Sequence, residues 1–537
     1  MSSIAIESVD ALVVGAGFGG IYQLYSLQKI GLNVKAIEKA EGVGGVWYWN
    51  NYPGAMSDTE SFLYRYSWDK EDLQTYPWPN NYLTRDEIVT YLNHIVDKHS
   101  LRDRFQFSTE MLSATWDESQ RKWHIHTTSG DFIARYLFTA VGIQSTVNIP
   151  SFPGMESFQG PVMHTAAWDH RIEVSGRRVG VIGCGSSGIQ VTDALASKVA
   201  ELHCFIRHAQ FSVPLRLQPI PAAQRTQINS SYDDIWAAQL HSKTAFGFEE
   251  PTTETMSVTP EERERVFESL WRQGNGFRFM YGGFGDLCSD AVANEEACKF
   301  LRAKIRSLVK DPSKADALTP RELFARRPPC DRGFYEKFNQ ENVFAIDILK
   351  TPIAAIERNG IRTSDGKLHE LDVLVLATGF RSADGSYTTV KEGIRGRGGM
   401  ILGEHWKRSG IRTYASMFLS SFPNLFMVTG PQGPFSNAPT LIEAQVDFLT
   451  GMLRDLHGRE GKDSVIECTK EAEAKWVGVC EQLAASETLF DRVDSWITGK
   501  NIPEARPSVK FYYGGLKAFR DFLDGMRTDH YSGLVVS

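Results

Sequence analysis

Two glycine clusters carry the clearest chemical signal in the chain. Gly15-Ala-Gly17-Phe-Gly-Gly20 and Gly183-Cys-Gly185-Ser-Ser-Gly188 share the spacing G-x-G-x-x-G. In that spacing the first glycine makes a tight turn, the second lets backbone approach a pyrophosphate, and the third lets a helix pack closely on a strand. Peptide N–H groups at the start of the helix then face the phosphates. The two clusters differ in the residue that ends the next apolar run. After the first cluster it is Glu38, and a carboxylate there suits a ribose with free hydroxyls. After the second it is Arg207, with His208 next to it. A cation there fits a 2′-phosphate, so this half reads as NADP rather than NAD. A third group, Gly44-Gly45-Val-Trp47-Tyr-Trp49-Asn-Asn-Tyr52-Pro53-Gly54-Ala-Met-Ser-Asp58, mixes flat rings with bare backbone and ends on an acid. Such a mixture can enclose a large planar cofactor and keep water out.

These residues need particular elements to hold them. Asp10 to Val14 is a short β-type run, Ile21 to Ile30 has helical periodicity closed by Gly31, and Val34 to Ile37 reads as the second parallel strand. The plan repeats with Arg178 to Ile182, a helix from Ile189 to about Ser197, and a strand from Leu202 to Ile206. Tyr136 to Phe138 running into Gly142, and Leu371 to Leu376 running into Gly379-Phe380, read as crossings between the two units. After the Pro-rich connector Pro214 to Pro221, the chain turns helical in pattern as far as Ala325. The expected fold class is α/β: two Rossmann-like dinucleotide-binding domains, each split in sequence, with a helical insertion. Residues 1–145 with 380–537 are assigned to the first domain, 146–220 with 326–379 to the second, and 221–325 to a helical subdomain.

Two more groups hold chemistry on which the residues alone do not decide. Phe158-Gln-Gly160-Pro-Val-Met-His164-Thr165-Ala-Ala-Trp168-Asp169 lies in an expected linker before the second glycine unit. His164 there reads either as an acid or base or, the preferred reading, as a hydrogen-bonded hinge residue. Arg326-Arg327 before Pro328-Pro329 reads, on composition, as a surface charge cluster.

Composition narrows the classes. The chain has 537 residues, 42% hydrophobic and 23% charged, with a net charge of −7. That excludes a disordered or collagenous chain and leaves no global positive field for nucleic acid. Seven cysteines without a C-x-x-C pair fit a reducing compartment and no zinc site. No apolar run is long enough to span a bilayer, and Met1 to Asp10 lacks a signal-peptide profile, so a cytoplasmic protein away from membranes is expected.

The two glycine fingerprints bracketing F-x-G-x-x-x-H-T-x-x-W-D resemble the type I Baeyer–Villiger monooxygenases, which are class B flavoproteins. The likeness also covers Gly44 to Asp58, Phe277 to Met280, Gly282 to Asp286, Pro329 to Asp331, Leu371 to Phe380, Gly430 to Pro439 and Asp494 to Pro503. It implies an FAD- and NADPH-dependent ketone monooxygenase with O2 as co-substrate, giving lactones or esters through a C4a-peroxyflavin and a Criegee adduct. By this resemblance FAD lies on Gly15, Gly17, Gly20, Glu38 and Gly45, with Trp47 and Asp58 near the flavin ring. NADPH uses Gly183, Gly185, Ser186, Gly188, Gln190 and Arg207, with Arg326 as second cation for the 2′-phosphate. Arg327 matches the catalytic arginine and contacts NADP+, Asp58 orients it, and Trp496 sits on a mobile loop over NADP+. Phe246, Phe277, Phe435 and Phe511 line the ketone pocket. No metal is implied, and a monomer or weak homo-oligomer is expected.

Three departures stand out. Arg326 replaces the usual lysine, His208 replaces a frequent threonine or serine, and Gly499-Lys-Asn-Ile-Pro-Glu-Ala505 departs from the usual loop spelling. Three competing readings remain. The same cofactors serve N- or S-oxygenation, against which the Trp168 spelling argues. A flavin disulfide reductase needs a cysteine pair by the flavin, and no cysteine precedes Cys184. A non-catalytic flavoprotein stands last, since fold alone does not establish activity.

Overall fold

The apolar run before the first glycine turn is the buried end of β1 (Ile6–Val14) in a computed structural model describing residues 6–460, 464–502, 506 and 508–537. From Ala11 onward the strand is buried on both faces, as a central parallel strand must be. The chain winds through the glycines into a helix, Phe18–Lys29, and returns as β2 (Val34–Ile37), parallel to β1. The helix begins at Phe18 rather than Ile21 because the glycines themselves are wound: Ile21 N–H donates to Gly17 O. β3 (Phe105–Gln106) extends this edge. β4 (Met111–Asp117), β5 (Lys122–Thr127) and β6 (Gly130–Thr139) form an antiparallel meander whose last strand pairs parallel with β1. Two late strands, Gly393–Arg395 on β4 and Leu425–Met427 on β6, complete an eight-stranded sheet.

The second sheet has five parallel strands. β7 (Val162–His164), β8 (Arg178–Ile182) and β9 (Glu201–Ile206) combine with Val343–Asp347 and Val373–Leu376, the last lying between β8 and β7. β7 corrects one expectation. The stretch assigned to a linker contains an edge strand, with Leu374 opposite Val162 and Leu376 opposite His164. Three residues are too few for an alternation to show in the sequence.

The two first glycines explain the paired crossings. Gly15 and Gly183 have φ of +116° and +112°, and a Cβ on either would lie 2.4 Å from Ala140 O or 2.3 Å from Ala377 O. Each turn is thus pressed against the backbone of its own crossing strand, which leaves room for nothing larger than hydrogen.

From Ala222 to Leu318 the chain is mainly helical, and Phe267, Leu270, Phe279 and Leu301 of these helices share one apolar core with β8 and β9. Both ends of the excursion are tied, since Val213–Pro214 pairs parallel with Cys330–Asp331. No helix among the described residues is long and apolar enough to cross a membrane.

The helix Ala438–Glu460 packs on Phe18–Lys29 through a buried polar seam. Tyr22 donates to Asp447, Gln23 to Thr450, and Ser67 donates from its N–H and its hydroxyl to Glu443. Burial pushes the Glu443 carboxyl up to about 7, against the pull of the Ser67 bonds. An acid whose folded value is raised holds its proton longer folded than unfolded. Stability is therefore present below its ordinary value and is lost as pH rises towards 7. Glu443→Gln, which cannot ionise, is expected to gain on the parent by on the order of 3 kcal/mol between about pH 5 and about pH 8. Melting temperatures of both forms across that range check this; a constant gap between them would contradict it.

Candidate active site

The end of β2 delivers Glu38 to the first glycine turn. Its carboxylate accepts from Ala16 N–H at 2.7 Å and from Ala40 N–H at 2.8 Å, one bond on each oxygen. The acid is thereby held in one orientation while each oxygen keeps a lone pair for a ribose hydroxyl. Burial pushes its carboxyl upward while these N–H groups pull it back. Opposite the turn, the loop at Gly44-Gly45 approaches so closely that a Cβ on Gly45 would lie 2.8 Å from Gly17 Cα. The result is a cradle of backbone, and its donors and acid fit the phosphates and ribose of FAD. Beside it, Trp47 Nε1–H donates to Tyr64 Oη at 3.0 Å, and Arg85 Nε–H donates to Trp47 O at 2.6 Å, so the indole is fixed from two sides.

The second turn presents a similar cradle. A Cβ on Gly188 would lie 2.3 Å from Gly183 O, whereas one on Gly185 would meet nothing within 4 Å. The protein itself does not require glycine at 185; close approach of a phosphate to the backbone would. Ser186 opens the helix Ser186–Leu195, which points its N–H groups the same way and fits the pyrophosphate of NADP+. Gln190 accepts from Tyr52 Oη–H at 2.7 Å and donates to Met56 O at 3.1 Å, joining this helix to the aromatic loop of the first unit. Arg207 is exposed at the end of β9.

Between the two cradles lies Arg327. Its Nη2 is 2.6 Å from Asp58 Oδ2, its Nη1–H donates to Ser186 Oγ at 2.8 Å, and its guanidinium lies 5.1 Å from the centre of the Phe277 ring. Each contact comes from a different part of the chain. The arginine's own backbone is anchored two residues downstream, where Pro329 O accepts from Val213 N–H at 3.1 Å. Asp58 is steadied in turn: Asn275 Nδ2–H donates to Asp58 O at 2.8 Å while the Asn275 side chain caps the helix Gly276–Tyr281. A permanent cation with one fixed anionic partner and one aromatic face keeps N–H bonds for a further oxygen.

From Arg327 a row of rings runs outward. Phe246 stacks on Phe277 at 4.0 Å, Phe277 meets Phe435 at 6.4 Å, Phe435 meets Phe511 at 5.4 Å, and Phe511 meets Trp496 at 5.9 Å. All four phenylalanines expected in the pocket thus join one aromatic surface that starts over the arginine and ends at the Trp496 loop. Arg326 reaches the same loop, its Nε–H donating to Asp494 O at 2.9 Å.

The residues of the F-x-G-x-x-x-H-T-x-x-W-D stretch are used for packing. Phe158 packs against the apolar cluster holding Ile182 and Phe205, Trp168 is buried in the core of the second sheet, and a Cβ on Gly160 would lie 2.3 Å from Asp372 O. Thr165 is fully buried. His164 Nδ1 accepts from Ala166 N–H at 3.0 Å, its ring meets Phe380 edge-on at 5.9 Å, and burial pushes its pKa down. It is a neutral ring at the second crossing, away from Arg327's contacts.

Sequence reasoning did not single out Tyr64, Asn275 or Glu322. Tyr64 and Asn275 carry no motif. Glu322 is an acid four residues before Arg326, a spacing that signals a pair only on a helix, and none forms there. Pro503, Glu504 and Ala505 of the departing loop motif lie outside the described residues.

A model of flavin-binding monooxygenase-like proteins matches residues 9–211. A Baeyer–Villiger monooxygenase of Pseudooceanicola batsensis is 43% identical over 98% of this chain and 96% of its own. A phenazine N-monooxygenase of Lysobacter antibioticus is 44% identical over 98% and 97%. A crystal structure of cyclohexanone monooxygenase from Rhodococcus sp. Phi1 bound to NADP+ superposes with a TM-score of 0.97, at 46% identity over 99% of this chain and all of that one. Likeness of this extent, over a site whose two cradles converge on one arginine, establishes that the chain belongs to the type I Baeyer–Villiger monooxygenases, FAD- and NADPH-dependent enzymes that insert one atom of O2 beside a ketone carbonyl.

Proposed function

We propose that the chain converts cyclic ketones to lactones, with Arg327 as its catalytic cation. The observation that carries this reading is the placement of Arg327 between Asp58 and Ser186 at the meeting of the two cradles. The overall reaction is ketone + O2 + NADPH + H+ → lactone + H2O + NADP+. FAD held on the first cradle would supply the redox chemistry, as acceptor of hydride from NADPH and as the group that activates O2. The remaining work falls to side chains. Arg327 binds the ketone oxygen and stabilises the negative charge that develops there, where preorganised charge is most effective. Asp58 holds the guanidinium in place. Phe246, Phe277, Phe435 and Phe511 give the ring an apolar surface and exclude water. Gly15, Gly17, Gly20, Glu38, Gly45 and Trp47 hold FAD, and Gly183, Gly185, Ser186, Gly188 and Arg207, with Arg326, hold NADPH. Trp496 closes over the nicotinamide cofactor, Gln190 clamps the two units, and His164 positions the second crossing.

The division into 1–145 with 380–537, 146–220 with 326–379, and 221–325 is kept. It is supported by the first sheet drawing strands from both ends of the chain and the second from its middle. A cytoplasmic monomer or weak homo-oligomer completes the reading, its reducing compartment supported by seven cysteines without a C-x-x-C.

The test is incubation of the purified holoenzyme with NADPH, cyclohexanone and isotopically labelled O2, followed by mass spectrometry. A lactone carrying one labelled atom is expected. NADPH consumption with hydrogen peroxide and no labelled lactone would remove cyclohexanone as a substrate. The 44% identity to a phenazine N-monooxygenase favours one second reading, N-oxygenation of a flat heteroaromatic. Phenazine in the same assay decides it, and a labelled N-oxide formed faster than any lactone would select that reading.

A further inference from the structure

The end of β9 and the stretch before Arg327 meet in a small charge cluster that the reaction as described does not use. Glu322 Oε2 lies 2.5 Å from Arg326 Nη2 and 3.3 Å from His208 Nδ1. Both partners are largely shielded, with side chains 11% and 17% exposed, while Glu322 is 35% exposed. The His208 side chain first, and Arg326 next, hold the Glu322 carboxyl down at about 2, so it is an anion throughout the working range. Neighbouring Arg321 is engaged elsewhere, on Asp347 at 2.7 Å. Beside the cluster lies a shallow recess lined by Gln210, Phe211, Leu323, Arg326, Arg327 and Pro328.

Arg326 and His208 are two of the three places at which this chain departs from the family spelling, and both are tied to one carboxylate. A 2′-phosphate arriving beside Arg207 would compete with that carboxylate for the Arg326 guanidinium and would be repelled by it. A free 2′-hydroxyl, by contrast, can donate to a carboxylate, as it does to the strand-end acid of NAD-binding units. Removing a unit charge about one residue's reach from a phosphate is worth more than a surface pair is, because the cluster is partly desolvated.

We propose that Glu322 is the residue that sets how strongly the 2′-phosphorylated dinucleotide is preferred over its unphosphorylated form, acting as an internal anion on Arg326 and His208. The inference rests on the reading of Arg207 and Arg326 as the adenosine-ribose end of the NADPH site. Glu322 lowers the affinity for phosphate and leaves the affinity for a free ribose nearly unchanged. It is a specificity residue and takes no part in the oxygen chemistry.

The test uses the FAD-bound full chain and two fragments as probes, adenosine 2′,5′-bisphosphate and adenosine 5′-monophosphate, titrated calorimetrically into parent and Glu322→Gln. In the variant, affinity for the bisphosphate is expected to rise roughly tenfold, with the monophosphate changing less than about twofold. The gain is expected to shrink as salt is raised and the Debye length falls. Arg326→Ala in the Glu322→Gln background is expected to abolish it, which a merely structural role of Glu322 would not do. Flavin absorbance checks that each variant is folded. A bisphosphate preference that is the same in parent and variant, or weaker in the variant, would overturn the proposal while leaving the NADPH site where it is placed. Equal binding of the two probes by parent and variant alike would remove the 2′-phosphate site itself, and the role of Glu322 with it.

Discussion

Arg327→Ala is expected to keep its FAD and to lose ketone oxygenation by about a thousandfold, the upper end of what one preorganised donor contributes to a developing oxyanion. Several contacts vanish together. Asp58 loses its partner at 2.6 Å, Ser186 loses the donor at 2.8 Å, and the Phe277 face is left without a cation. The bond to Ser186 ties the arginine to the first residue of the helix after the second glycine turn, so reduction of the flavin by NADPH should slow as well. Asp58→Asn is expected to fall in the same direction by less, since it loosens the guanidinium without removing its charge. Lactone yield and flavin reduction, measured separately, check both variants. Lactone formation at the parent rate in Arg327→Ala would remove this residue from the reaction.

The third glycines separate the two nucleotide sites. A Cβ on Gly20 would lie 1.9 Å from Gly15 O, and one on Gly188 would lie 2.3 Å from Gly183 O. Both obstacles are backbone and cannot swing aside, so each helix must lift off its strand. Gly20→Ala is expected to purify without yellow flavin. Gly188→Ala is expected to retain flavin but to be reduced by NADPH at least about a hundredfold more slowly, because a displacement of an ångström suffices for a loss of that size. Stopped-flow reduction of the bound flavin measures it. Reduction at the parent rate in Gly188→Ala would mean that NADPH does not bind over that turn.

Local features were the legible ones. Each βαβ unit lies within about thirty consecutive residues, and its glycines, apolar runs and strand-end residue are read without knowing anything distant. The helix starts were misplaced by a few residues because glycine, poor in helical propensity, is wound there through tight strand–helix packing. β7 was missed because three residues show no period. The active site was legible only through the family resemblance. Asp58, Ser186, Phe277 and Arg327 come from four separate stretches, and no spacing rule connects them. Composition read Arg326-Arg327 as surface charge, yet both side chains are largely covered, each by an acid brought from outside its immediate neighbours. Glu322 escaped because an acid four residues before an arginine predicts contact on a helix, while here the chain folds back on itself without one.

The row of rings from Phe277 through Phe435 and Phe511 to Trp496 has a consequence for how such an enzyme can be altered. Under the proposed function, the wall that sizes the substrate is also the surface against which Trp496 of the closing loop rests. A shortened ring at Phe435 widens the chamber and, in the same stroke, removes a support two contacts from Trp496. Appetite for bulkier ketones and tightness of closure are therefore set by a single run of side chains. Variants with a broader diet will tend to leak reducing power as hydrogen peroxide, and recovering tight closure will call for a compensating change at Phe511 or in the loop itself.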